Sequence, residues 1–284
     1  MKLILSRKGF DSSAGGCPNP VFPDGSCLAL PIPDKQSPIR YNQIRHNGDS
    51  IGSLVSQLTG QRAFSRKGAH LDPDLIESAY PRQQGWRPML GQHSSAQAHL
   101  VNNGVGQGDM FLFFALFRAA EKHRGRWRFV PGARPFHAIW GWLQAGEVWS
   151  LDGSVEIPPW AAYHPHLHGE RSTHNSLYVA GARLELPGLD KQLPAAGTVG
   201  LLANQHRLTA PDAVRVTEWR LPAAFMPAPG CQPLSYHHNL QRWSQDEGPD
   251  YCCLKSAARG QEFVLDLDGY PGVSEWLLSP GFLA

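Results

Sequence analysis

A polar turn near the start of the chain combines residue types that bind anions. Arg7 and Lys8 supply positive charge, Asp11 supplies a carboxylate, and Ser12 and Ser13 supply hydroxyls beside several glycines. Backbone amides and cationic side chains in such a turn can cradle a phosphate group. The spacing of a Walker loop is absent. The segment therefore predicts a phosphate contact of another kind, with an ordinary solvated turn as the alternative.

The hexapeptide HLDPDL at residues 70–75 is a second candidate. His70 and Asp72 would point to the same side of an extended segment, and such a pair suits a divalent metal or acid–base chemistry. Asp72-Pro73 is also common in turns and at the starts of helices. We therefore treat Asp72 as a candidate catalytic residue and, with His70, as a candidate metal ligand.

Residues 91–109 are rich in side-chain amides and imidazoles, which can hydrogen-bond the edge of a nucleobase. We expect Gln97, His99 and Asn103 to contact a base, with His99 also a catalytic candidate. The stretch GVGQGD then leads to a predicted helix N-terminus, which favours an anion, and Asp109 is an acid–base candidate. A buried structural cluster of amides is the alternative. The fingerprint GxGxxG is missing, so no Rossmann dinucleotide site is predicted.

Histidines cluster in the middle of the chain, at positions 137, 164, 166, 168 and 174. Alternating histidines can bind zinc, copper or iron, but the spacing of a zinc finger is absent. A polar loop with one functional histidine is the favoured interpretation. His137 is kept as a substrate contact, and His164 and His166 join His70 and Asp72 as candidate metal ligands.

Two segments near the end of the chain complete the candidates. The first is LSYHHNLQRW, in which His237 is a candidate substrate contact. The second is RGQEFVLD, in which Arg259 and Gln261 are candidate substrate contacts. Glu262, beside them at a strand edge, is a plausible general base or ribose-binding acid. A surface strand with ordinary charges is the alternative.

The elements that position these residues change in type along the chain. Amphipathic or apolar patterns predict helices over residues 48–59, 94–103 and 108–123, and a closing helix over 270–278. Aromatic and β-branched runs predict strands over 2–6, 127–130, 137–145, 147–151, 175–179, 183–186, 215–220 and 262–266. We therefore predict an α+β fold, as one domain over residues 1–284. Its helices lie mainly in the first half, and its mostly antiparallel sheet is built largely from the second half.

Composition narrows the class of protein. Of 284 residues, 42% are hydrophobic and 18% are charged, with a formal net charge of +2, so neither a disordered chain nor a strongly basic nucleic-acid coat is expected. The 29 glycines and 24 prolines argue against a helical bundle. Neither a signal peptide nor a membrane span is predicted. An odd number of cysteines, five, indicates free thiols and a cytoplasmic protein without membrane partners.

Taken together, these segments resemble a bacterial and phage family, the nucleotide modification associated domain family of the third type. The matching blocks run in order from LSRKGFDS at residues 5–12, through HLDPDL, FLFF, HAIWGWLQ, YHPH and NSLYVA, to LSYH and RGQEFVLD. The resemblance spans about residues 2–278 and implies an association with systems that make or process modified nucleobases. His168 departs from the family pattern and is not counted as a site residue.

The leading hypothesis is an enzyme that acts on a nucleotide or on a base in nucleic acid, by group transfer or glycosidic-bond chemistry. Arg7 and Lys8 would hold phosphate, and Asp72, Asp109 or Glu262 would act as acid or base. The cofactor is not fixed by the sequence, a divalent metal is compatible with it, and the oligomeric state is left open.

Three alternatives stay open. The first is an ADP-ribosyltransferase-like enzyme, the only reading that uses NAD, with Arg7, Ser12 and the Gln261-Glu262 pair loosely in the order of that superfamily. The second is a metal-dependent nucleotide enzyme built on His70, Asp72 and the histidine cluster. The third is a non-catalytic reader that stacks a modified base on tryptophans 140, 142 and 149.

Overall fold

The computed structural model describes residues 1–168, 173–189, 191–258, 260 and 262–283. The fold is α+β, as predicted. The helices are α1 (Ile51–Thr59), α2 (Ser94–Asn102) and α3 (Pro271–Leu277). The strands are β1 (Lys2–Arg7), β2 (Asn19–Val21), β3 (Arg45–His46), β4 (Asp49–Ser50), β5 (Met89–Gln92), β6 (Met110–His123), β7 (Arg126–Phe129), β8 (Phe136–Ser150), β9 (Ser176–Ala180), β10 (Ala196–Thr198), β11 (Glu218–Pro222), β12 (Trp243–Gln245), β13 (Tyr251–Lys255) and β14 (Glu262–Asp266).

One large mixed sheet organises the described part of the chain. Its main path is β14-β1-β6-β8-β9-β5, with β2 and β7 also paired to β6, and β10 also paired to β8. Strand β6 runs parallel to β1 and β2, and the other pairings in this sheet are antiparallel. Strands β11, β13 and β12 form a separate antiparallel sheet. Strand β1 therefore lies between an early neighbour, β6, and a late neighbour, β14.

The helix predicted over residues 108–123 is wrong, because Met110–His123 form strand β6. Residues 110–115 are all buried, so the alternation that identifies a half-buried strand is missing. Arg124 and Gly125 have φ values of 50° and 77° and close a tight hairpin into β7. The basic residues Lys122 and Arg124 therefore lie at the end of a strand and in its turn. The GVGQGD stretch leads into this strand and precedes no helix N-terminus.

Two smaller differences between the predicted and the observed strands lie in the second half of the chain. The strands predicted over 137–145 and 147–151 are one continuous strand, β8, which shifts register between Ala145 and Glu147. The strand predicted over 183–186 is absent from the described structure. The predictions for α1, α2, α3, β1, β9 and β14 are confirmed to within a few residues.

Each face of the large sheet has its own core. Leu3 and Leu5 of β1 face a cluster that includes Trp219 of β11 and Val273 of α3. Ile4 faces the opposite cluster, which includes Leu100 of α2 and Phe113 of β6. Both faces of β1 are therefore covered, and only its end can present polar side chains to solvent.

A third core lies beside the end of β1, where Leu30 and Ile39 pack together with Val55 of α1. Asn19 fastens it, because its buried side chain accepts hydrogen bonds from Phe10 N (3.1 Å) and Leu30 N (2.7 Å). The same side chain donates to Phe10 O (2.9 Å) and Leu116 O (2.8 Å). These four bonds fix the turn that follows Lys8. The five cysteines are all free. Among the described helices, none has the length and apolar character needed to cross a bilayer.

Candidate active site

Polar side chains from four segments meet at the carboxyl end of β1. Lys8 follows this strand, and its Nζ lies 3.6 Å from Asp72 Oδ2 and 4.0 Å from Glu262 Oε1. Ser6 pairs with Glu262 across β1 and β14, which places the two side chains on the same face. The pairing of β1 with β14 therefore brings Lys8 and Glu262 together, and a hydrogen bond from Gly91 N of β5 holds the loop residue Asp72 beside them.

Glu262 is 1% exposed and has an asymmetric environment. Its Oε1 accepts hydrogen bonds from Ser6 Oγ (2.9 Å) and from Gln92 Nε2. Its Oε2 is buried and has no hydrogen-bond partner among the described residues. Burial raises the pKa of Glu262 to about 7, against the opposing effect of the Lys8 ammonium. A carboxyl group with such a pKa can hold or release a proton near neutrality.

Asp72 is equally buried but remains ionised. Burial acts to raise its pKa, but the Lys8 ammonium, together with the nearby His164 side chain, prevails and holds the pKa below its ordinary value. Gly91 N donates a hydrogen bond to Oδ1 (2.5 Å), and His164 Nε2 lies 3.5 Å from the same oxygen. The two carboxyl groups near Lys8 thus differ in proton affinity, which is the arrangement that separates an acid from a base.

Two histidines face the other oxygen of Asp72. His70 Nε2 lies 3.9 Å from Asp72 Oδ2, and His166 Nε2 lies 3.8 Å from it. One donor atom from each of the three residues falls within 4.8 Å of the others, a spacing that could hold a metal ion. His164, also predicted as a ligand, contacts Oδ1 instead and stands apart from this group.

A cavity of about 170 Å³ opens on these residues. Arg7, Lys8, Asp72, Gln92 and His166 are among the residues that line it. A wider cavity of about 540 Å³ shares His70, His93 and His166 with it. The histidine pair therefore lies between a small inner cavity and a larger outer one.

Arg7 and the following turn form one wall of the inner cavity. Arg7 Nη1 donates to Ala258 O (3.1 Å), whereas Nε and Nη2 are buried without a partner among the described residues. Burial lowers the pKa of Arg7. Asp11 Oδ1 accepts from the backbone of Ser13 and Ala14, each at 2.7 Å, so this carboxylate shapes the turn. Ser12 is exposed.

Four other predicted residues lie outside both of these cavities. Asp109 accepts hydrogen bonds from Lys2 N (2.6 Å) and Gly106 N (2.8 Å) at the opposite end of β1. Gln97 is buried and accepts from the hydroxyl of Tyr178 (3.0 Å). His99 contacts Ser235 Oγ (3.0 Å), and Asn103 ends α2 by donating to His99 O (2.8 Å). Each has a local structural role in this arrangement.

His137 and His237 belong to the cores. Trp219 Nε1 donates to His137 Nδ1 (3.0 Å), and burial lowers the pKa of His137 to about 3. His237 Nε2 accepts from Ala257 N (2.9 Å), and burial lowers its pKa to about 4. Both imidazoles are therefore neutral and packed. Arg259 and Gln261 lie outside the described residues.

The structure also shows where the residues of two alternative hypotheses lie, those of the NAD-based enzyme and those of the base reader. Arg7 points to the opposite face of β1 from Ser6 and Glu262, and it lies over the Phe114 ring at 5.5 Å. The NAD-based alternative therefore lacks a shared Arg–Glu cluster here. Of the tryptophans assigned to a reader, Trp140 and Trp142 are buried. The third packs 5.7 Å from another tryptophan, Trp160.

Sequence reasoning missed the residues that hold the site in place. Asp34 Oδ2 accepts from His70 Nδ1 (2.9 Å), and Asn175 Oδ1 lies 2.8 Å from His166 Nδ1. Arg82 forms a buried bidentate ion pair with Asp74, at 2.7 Å for each contact. These partners are single polar residues in loops, and nothing in their local sequence marks them.

The Arg82–Asp74 pair connects the two segments that carry the histidines. Tyr163 donates a hydrogen bond to Asp74 and accepts one from Arg82 Nη1 (2.6 Å). Trp86 Nε1 also donates to the Tyr163 hydroxyl (2.7 Å). Because Tyr163 directly precedes His164 and Asp74 follows Asp72 by two residues, this network holds both segments in one position.

Comparison with known proteins extends the resemblance found in the sequence. The sequence model of a family described as nucleotide modification associated domain 3 matches residues 2–266, which include every residue of the site. Searches among curated proteins and among solved structures found no match. A match over most of the chain, with the motifs meeting at one site, shows that this protein belongs to the nucleotide modification associated domain 3 family.

Proposed function

We propose that this protein is an enzyme that acts on a nucleotide or a nucleobase in the cavity at the end of β1. The observation that carries the proposal is the environment of Lys8, whose ammonium lines the cavity between two buried carboxyl groups of different proton affinity. A nucleotide-associated role follows from the family. The catalytic role of the site is our inference from its chemistry.

Lys8 and Glu262 would act together on protons. Glu262 is too buried to touch a substrate directly, since it is 1% exposed. Lys8 lines the cavity with its Nζ 4.0 Å from Glu262 Oε1, and a shift of this flexible side chain, or one bridging water, would let it pass a proton between the substrate and Glu262. Asp72 remains ionised and keeps the Lys8 ammonium in place. This arrangement suits a step in which a base or sugar atom gains or loses a proton.

Arg7 would bind the anionic part of the substrate. Two of its nitrogens are buried without partners in the described structure, and it lines the same cavity as Lys8. If the side chain turned this edge toward the cavity, the two donors of the guanidinium could bind two phosphate oxygens. Gln92, which donates to Glu262 and also lines the cavity, would contact a polar edge of the base.

The test is nucleoside mass analysis after incubation of the protein with nucleotide pools and with phage DNA, each with and without divalent ions. A new or lost nucleoside mass is the expected result. Lys8→Met and Glu262→Gln should abolish it, whereas Lys35→Met, which changes an exposed lysine, should not. If no mass changes but a nucleotide stays bound to the protein, the proposal of catalysis is wrong and the protein is a reader.

A further inference from the structure

We infer that His70 Nε2, His166 Nε2 and Asp72 Oδ2 form a binding site for one divalent transition-metal ion. The inference deepens the proposed function, because metal and substrate would share the inner cavity. The geometry of the three ligands supports it, and its test needs no nucleotide. Which ring nitrogen of each histidine carries the hydrogen decides which nitrogen can bind a metal.

The hydrogen bonds of Asn175 determine the tautomer of His166. Asn175 Nδ2 donates to the backbone oxygen of His166 (2.9 Å), so its Oδ1 is the atom that faces His166 Nδ1 at 2.8 Å. An amide oxygen only accepts, and His166 Nδ1 must therefore carry the hydrogen. With the hydrogen on Nδ1, Nε2 of the neutral ring presents a lone pair.

The same reasoning applies to His70. Its Nδ1 lies 2.9 Å from Asp34 Oδ2, and an ionised carboxylate only accepts hydrogen bonds. Gln36 N donates to the other oxygen of Asp34 (2.8 Å), which keeps this carboxylate in place. His70 Nδ1 therefore carries the hydrogen, and in the neutral ring Nε2 is the free electron-pair donor.

These assignments aim three electron-pair donors at one point. The lone pairs of His70 Nε2 and His166 Nε2 lie 3.9 and 3.8 Å from the anionic Asp72 Oδ2. Neither imidazole offers a hydrogen to the carboxylate, so this convergence is unfavourable without a cation. Lys8 Nζ, 3.6 Å from Asp72 Oδ2, balances the charge of this carboxylate.

His164, in the same loop, differs from the two proposed ligands because it faces the other oxygen of Asp72. His166 N donates to His164 Nδ1 (3.4 Å), so the hydrogen of a neutral His164 is on Nε2, which lies 3.5 Å from Asp72 Oδ1. Gly91 N also binds Oδ1. The Gly91 hydrogen bond and the His164 ring thus both lie on the Oδ1 side of the carboxylate, whereas Oδ2 is directed at the two imidazoles.

The donor set indicates the kind of metal and the kind of site. Two imidazoles and one carboxylate suit first-row ions such as Zn²⁺, Fe²⁺ or Co²⁺ better than Mg²⁺ or Ca²⁺. Three protein ligands leave positions open, as in catalytic rather than structural sites. Both histidines have a hydrogen-bonded second nitrogen, which is the usual support of a metal-binding imidazole. The ligands line the inner cavity, where the open positions would face a substrate.

The experiment is a Co²⁺ titration of protein stripped of metal with a chelator, followed by visible absorption and by calorimetry. We expect one Co²⁺ per chain, displaced by Zn²⁺. His166→Gln and Asp72→Asn should lose the cobalt absorption. His168→Gln is the matched control, because this exposed histidine of the same loop contacts the backbone oxygen of Ala162 and is not one of the three proposed ligands, and the variant should bind cobalt as wild type does.

Asp34→Asn provides a second variant if the ligand substitutions do not fold. It removes the charged acceptor from His70 Nδ1 at a half-buried position, and loss of such a partner lowers metal affinity by about 10- to 100-fold. Absence of stoichiometric binding to the wild-type protein would overturn the metal site. Equal binding by wild type and a folded His166→Gln would overturn the assigned ligands. Neither result depends on whether a nucleotide substrate has been found.

Discussion

Replacing Glu262 with glutamine should stabilise the protein at alkaline pH and leave it unchanged in acid. The pKa of this buried carboxyl is raised from 4.5 to about 7. Each tenfold change in proton affinity corresponds to about 1.4 kcal/mol, so ionised Glu262 costs the folded protein about 3 kcal/mol. Glutamine resembles the protonated acid and keeps Oε1 as an acceptor for Ser6 and Gln92.

The sign of the pH dependence follows from the raised pKa. Below about pH 4.5 the carboxyl is protonated in both the folded and the unfolded chain, and the two proteins should have equal free energies of unfolding. Between about pH 4.5 and 7 only the unfolded chain ionises, so wild type loses stability relative to Glu262→Gln. Above about pH 8 the difference should be constant, at about 3 kcal/mol in favour of the variant.

Urea unfolding, followed by tryptophan fluorescence from pH 5 to 9 in the presence of a chelator, measures this difference directly. Glu247→Gln is the matched control, since Glu247 is exposed and its substitution should leave the curve unchanged. Parallel wild-type and Glu262→Gln curves across this range would refute the assignment of a raised pKa to Glu262. A variant that is less stable at every pH would show that the carboxylate stabilises the fold.

Three further predictions concern the residues that support the site. Gly91→Ala should weaken Co²⁺ binding about tenfold or more in the titration above, because a Cβ would lie 2.2 Å from His166 Cδ2. Tyr163→Phe should lower the free energy of unfolding by about 1–3 kcal/mol in urea, since it removes the hydroxyl shared by Asp74, Arg82 and Trp86. Asn19→Ala should cost at least about 3 kcal/mol in the same assay, because it leaves buried backbone groups of three residues without partners.

The sequence indicated the fold class and most of the elements, and it failed where burial removed the pattern. Strand β6 lies in the middle of the sheet with both faces covered, so its apolar run has neither the period of a helix nor that of a half-buried strand. An acid at the start of this run, Asp109, and a base near its end, Lys122, are also placed as the end charges of a helix would be. In the structure Asp109 binds backbone amides, and Lys122 lies beside the hairpin turn.

The sequence indicated which residue types the candidate site would contain, but it did not indicate which of the polar residues would lie there together. Lys8, Asp72, Glu262 and the histidines were identifiable because charged and imidazole groups stood out in apolar or turn-rich segments. Asp109 and Asn103 stood out in the same way, although their polar groups serve a loop and a helix end. The pairing of β1 with β6 and β14 places Lys8 and Glu262 at one end of β1 and Asp109 at the other, and strand register is a long-range property that local sequence does not carry.

The position of β1 between β6 and β14 also governs how the protein can be synthesised. About 140 residues separate the end of β6 from the start of β14. At ribosomal rates of about 5–20 residues per second, β1 therefore waits on the order of 10 s with one edge unpaired. An open strand edge can recruit another chain, so this interval is when the nascent protein is most exposed to aggregation. The same delay withholds Glu262 from the nascent chain, so the proposed acid–base pair of Lys8 and Glu262 is complete only when the sheet closes.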